Sequence, residues 1–70
     1  MAEVIGLVAT RIKTEKILRE RKAFDEETAV NPKEAGINYG RTLKLMEEGG
    51  LIRRTSEGKI YLTEKGRRGR

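Results

Sequence analysis

The side chains able to do chemistry in this chain are cations. Arg53, Arg54 and Lys59 fall in one short stretch, Arg67, Arg68 and Arg70 close the sequence, and Arg41 and Lys44 precede both groups. Guanidinium and ammonium groups meet phosphate and carboxylate oxygens, and clustering them raises the local potential that draws in a polyanion. A plainer use competes with that one. Arg41 and Lys44 can pair at i+3 or i+4 with Glu47 and Glu48 on a solvated helix face, and the terminal arginines can serve as a solubilising tail. Their concentration at the very end leans toward a binding arm.

The rest of the inventory excludes more than it offers. There is no cysteine and no histidine. A disulfide framework and a thiolate metal site are therefore out, and the commonest metal ligand and general base is missing. An enzyme is not expected, and neither is a metal or another cofactor. The apolar run over residues 4–9 is far short of a membrane span and no basic region precedes it, so a cytoplasmic protein without a membrane partner is expected. The 39% of charged residues are Lys, Arg and Glu with a single Asp, a bias that suits a thermophile. The net charge of +5 is unevenly placed: +3 over residues 1–24, −3 over 25–50 and +5 over 51–70.

Seventy residues make one domain near the lower limit for a self-sufficient core. Its organising stretch is 38–63. Apolar residues at 39, 43 and 46 line one side of a helix, Asn38 is placed to cap it, and Gly49-Gly50 ends it. Two strand-like runs, 51–55 and 59–63, are joined by Ser56-Glu57-Gly58 as a tight turn. Upstream, residues 3–22 read as helical, with 5, 8, 9 and 12 on one face and Ile17 and Leu18 out of phase with it. That break implies either a second helix capped by Thr14 or one helix that changes partner. The apolar face then completes the core of a monomer, which so small a core favours, or is in part a short strand over 4–9, or docks on a second copy as a homodimer. Asp25 can cap a short helix over 26–30 with Phe24 as its staple; the alternative is a small strand over 27–30 beside the ribbon. Asn31-Pro32-Lys33-Glu34 signals a helix over 32–35, with Asn31 as N-cap, Pro32 at N1 and Glu34 reaching back, closed at Gly36. Residues 64–70 are polar and broken by glycine, so fraying is expected.

Pro32-Lys33-Glu34-Ala35-Gly36-Ile37, followed by 41–52 ending in Glu47-Glu48-Gly49-Gly50-Leu51-Ile52, resembles the helix-turn-helix of winged-helix proteins. Lys59-Ile60-Tyr61-Leu62-Thr63-Glu64-Lys65-Gly66 is similar to the closing phrase of that family, and the likeness covers residues 24–66. It implies a mainly α chain with a small β-ribbon (α+β): about three helices plus a two- or three-stranded wing. Residues 1–23 would be the N-terminal helix or helices, 24–63 the helix-turn-helix and wing, and 64–70 a flexible basic tail. The resemblance puts Arg41, Thr42 and Lys44 on the outward face of the recognition helix, with Tyr39, Leu43 and Met46 inward. It puts Arg53, Arg54 and Lys59 on the wing, where they would meet a nucleic-acid backbone together with Arg67 and Arg68. The implied function is a small DNA-binding transcriptional regulator or accessory factor, with DNA favoured over RNA. No sensor domain is present, so regulation would come from dimerisation or a partner.

Two features lean the other way. Only five residues separate Ile37 from Leu43, and Leu45 stands where members of the family place Arg or Lys. An exposed Leu45 suits a protein contact, so the alternative is a winged-helix protein-interaction module that binds no nucleic acid. Tyr39 and Tyr61 can stack on bases, but as residues of a core helix and strand they are expected to be buried anchors with bonded hydroxyls.

Overall fold

The computed structural model describes residues 2–68, with side chains from Ala9 onward. The expectations for the side chains at 4, 5 and 8, and for Arg70, lie outside the described residues. The order is α1 (Ala2–Glu20), α2 (Gly40–Glu48), β1 (Ile52–Arg54), β2 (Ile60–Leu62) and α3 (Glu64–Arg67). This is a small α+β fold: three helices and a two-stranded antiparallel sheet.

α1 is one helix, so the phase break at Ile17 marks no second cap. The Thr14 hydroxyl donates to the Thr10 carbonyl at 2.7 Å, one turn back inside the same helix. The inward face is carried by Thr14 and Leu18, both fully buried, with Ile17 half-buried beside them. Ile12, expected on the core-completing face, is 54% exposed. The helix ends where Lys22 takes a left-handed φ of 55° and the Ala23 amide donates to the Leu18 carbonyl at 2.9 Å, which drops Ala23 into the core.

The expected helix over 26–30 does not form. The Asp25 carboxylate accepts from the Thr28 amide at 2.9 Å and from its hydroxyl at 2.8 Å, while that hydroxyl accepts from the Phe24 amide at 3.0 Å. The result is a closed turn. Pro32 then disfavours helical geometry at Asn31, and Val30 runs extended. Val30 exchanges amide and carbonyl with Ile60 at 2.9 and 2.8 Å, so the strand alternative is realised as a single bridge. The next segment keeps its cap, with Asn31 Oδ1 accepting from the Lys33 amide at 2.9 Å, but makes only a turn over 32–36, closed at Gly36 with φ 80°.

α2 starts one residue later than expected. Tyr39, not Asn38, is the N-cap, and no side chain caps the helix, because Asn38 lies one position too far out to reach it. Thr42, Leu43 and Met46 are buried on its inner side. Gly50, at φ 78°, turns the chain so that the Leu51 amide reaches the Met46 carbonyl at 2.9 Å. β1 and β2 pair in the register Ile52↔Leu62, Arg53↔Tyr61 and Arg54↔Ile60, with Gly58 at φ 84° in the connecting turn. Ile52, Ile60 and Leu62 point into the core formed with Leu18, Ile37, Leu43 and Met46.

The segment after the ribbon corrects the expectation of a frayed tail. Thr63 caps α3 by accepting from the Gly66 amide at 3.2 Å, and Gly66 is buried against the Leu51 carbonyl. Arg19 reaches across from α1 and donates to the Gly66 and Arg67 carbonyls at 3.2 and 3.0 Å. Polar side chains and a glycine thus dock this turn where apolar packing could not. Among the described residues, no helix is long and apolar enough to cross a membrane.

Candidate nucleic-acid interface

On α2, Arg41, Lys44, Leu45 and Glu48 are exposed and share the outward side, as spacings of three and four residues require. Leu45 is 49% exposed among these charged neighbours. Neither Arg41 nor Lys44 makes an ion pair among the described residues, so the alternative of pairing with Glu47 and Glu48 is not seen. Thr42 does not belong with them. One residue before the inward Leu43, it is rotated to the inner side, is 4% exposed, and shares a 2.6 Å hydrogen bond with the Thr10 hydroxyl of α1. It joins two helices and is withdrawn from any outward surface.

The charges of α2 also run against its dipole. The first turn holds no acidic residue and the last turn no basic one; Arg41 sits at the positive end, Glu47 and Glu48 at the negative end. Each misplaced charge costs a helix about 0.3–1 kcal/mol at low ionic strength, so helix stability does not account for the arrangement.

Arg53 and Arg54 part company on the ribbon. Arg54 stands opposite the buried Ile60, and its Nε donates to Glu47 Oε2 at 2.9 Å, tying β1 to the last turn of α2. Arg53 stands opposite Tyr61 on the other face, exposed and without an ion pair among the described residues. By the two-residue period, Lys59 shares that outer face with Tyr61. Its ammonium lies 3.6 Å from Glu57 in an exposed pair. Such pairs are worth about 0–1 kcal/mol, weak enough to yield to a phosphate.

The two cations at the end of α3 have partners of their own. The Arg67 guanidinium lies 5.0 Å over the Phe24 ring, and Arg68 pairs with Glu64 at 3.5 Å. The eight predicted residues therefore form an outward pair on α2 (Arg41, Lys44), an outer ribbon pair (Arg53, Lys59), two engaged cations (Arg54, Arg67), Arg68 in an exposed pair as weak as that of Lys59, and one buried threonine.

Sequence reading gave Tyr61 the role of a buried anchor with a bonded hydroxyl. It is half-buried, packed on the edge of the core, and its hydroxyl makes no hydrogen bond among the described residues. No buried side-chain oxygen there lacks a partner, so that hydroxyl opens to water. The signal was present: Ile60 and Leu62 on one face of a strand put residue 61 on the other. Tyr39 is likewise half-buried against the core, and its hydroxyl, expected to be bonded, makes no hydrogen bond among the described residues.

No protein-family model matches the chain, and comparison with curated proteins and with solved structures gives no match either.

Proposed function

We propose that the chain is a winged-helix module that binds nucleic acid through its phosphate backbone, and serves in the cytoplasm as a DNA-binding regulator or accessory factor. The turn over 32–36 and α2 act as the helix-turn-helix, and β1, β2 and Gly58 as the wing. Arg41 and Lys44 meet phosphates from α2; Arg53 and Lys59 meet them from the ribbon.

The observation that carries this reading is the reversed charge order of α2. Arg41 adds to the positive dipole end at a cost to the helix itself, and Lys44, one turn along the same outward side, extends it into a local anion-attracting surface. With Thr42 turned inward and Leu45 outward, sequence-specific readout by this helix is not part of the proposal. Binding to a short duplex, followed by fluorescence anisotropy across a salt series, tests it. The logarithm of affinity should fall with log salt at about −0.9 per phosphate neutralised.

A second reading rests on Leu45 and Ile12, the two large apolar side chains left exposed among the described residues. On that reading the module docks another protein, or α1 pairs with a second copy, and binding hardly responds to salt.

A further inference from the structure

We infer that the outer face of the ribbon is a stacking site for an unpaired base, with single-stranded nucleic acid as its ligand. The inference rests on the nucleic-acid reading above and goes beyond it, since phosphate attraction alone needs no ring. Three observations converge on this face. Arg53 lies directly across from Tyr61 in the ribbon register, so the cation and the ring are neighbours with Cβ atoms about 5 Å apart. Tyr61 is half-buried, with one side of its body supported by the core while its hydroxyl is unbonded and open to water. Lys59, two residues along the same strand, adds a second cation on that face.

A ring backed by the core, with Arg53 across the ribbon and Lys59 two residues along its own strand, meets both needs of a single strand. The flanking Arg53 and Lys59 hold successive phosphates, and the Tyr61 ring accepts the base that single-strandedness leaves exposed. A duplex keeps its bases stacked inside and cannot use the ring.

The chain has two tyrosines and no tryptophan, so replacing Tyr39 with Phe leaves Tyr61 as the sole emitter at tyrosine wavelengths. Titration of that protein with single-stranded oligo(dT) should quench the emission. Tyr61→Leu should weaken oligo(dT) binding about tenfold and leave duplex binding within about twofold of the parent. Tyr61→Phe, which keeps the ring, should restore the single-strand affinity. If Tyr61→Leu is poorly folded by circular dichroism, the quenching titration and the Tyr61→Phe variant still decide. Absent quenching, or equal oligo(dT) affinity with and without the ring, overturns the stacking site. So does a failure of oligo(dT) to bind while duplex still binds through Arg41 and Lys44, and that outcome keeps the broader reading. Loss of binding to both forms overturns both.

Discussion

Arg54 of β1 donates its Nε to Glu47 Oε2 of α2 at 2.9 Å, a polar contact that adds to the core packing between the ribbon and the last turn of the helix. It also neutralises a cation that the sequence offers to a polyanion. Both side chains are about a third exposed, so water and salt screen the pair, and its worth to stability is at most about 1 kcal/mol. Glu47→Gln should therefore barely lower the unfolding midpoint. It should raise duplex affinity, because Arg54 is released and one negative charge is removed from α2. Parallel urea unfolding and duplex titrations at one salt concentration check both halves.

Gly66 holds α3 against the rest of the fold. A Cβ there would overlap the backbone carbonyl oxygen of Leu51 and press on the Leu62 side chain. Backbone cannot rotate away as a side chain can, so Gly66→Ala should cost about 2 kcal/mol or more. For a chain of this size, that is a large part of total stability, and the unfolding midpoint should fall accordingly. Chemical denaturation of the variant measures it. An unchanged midpoint would mean that α3 is not docked on Leu51 and β2.

The Asp25 turn predicts a pH dependence. Hydrogen bonds from Thr28, from its hydroxyl first and then its amide, hold the Asp25 carboxyl below its ordinary value. A carboxyl depressed in the folded state contributes stability above its unfolded pKa, and that contribution is lost as pH falls through the folded one. Below about pH 4 the protein should thus lose stability in part through this turn. Thr28→Ala removes the hydroxyl donor and should make that acid limb shallower. Urea midpoints followed from neutral pH downward for parent and variant read the difference.

Local chemistry made several features legible in the sequence. Gly49-Gly50 stops α2, Asn31 caps the following turn, and Gly58 closes the ribbon, since each depends on residues close by in the chain. Positions governed by rotation or by distant partners were less legible. Thr42 lies beside Leu43, and a one-residue difference in register turns a side chain from groove to core. Arg54 and Arg53 are adjacent, yet strand alternation sends one to Glu47 and leaves the other opposite Tyr61. The docking of α3 escaped hydropathy because a buried glycine, a threonine cap and Arg19 hold it, and none of these registers as apolar pattern.

The central claim is that Arg41, placed against the dipole of α2, and Lys44 one turn along the same outward side meet phosphates. Its most direct test is the salt slope of duplex binding for the parent and for Arg41→Ala/Lys44→Ala, with folding confirmed by circular dichroism. The account predicts weaker binding and a slope shallower by about 0.9 for each cation removed. Equal slopes in the two proteins, or binding indifferent to salt in the parent, would contradict it.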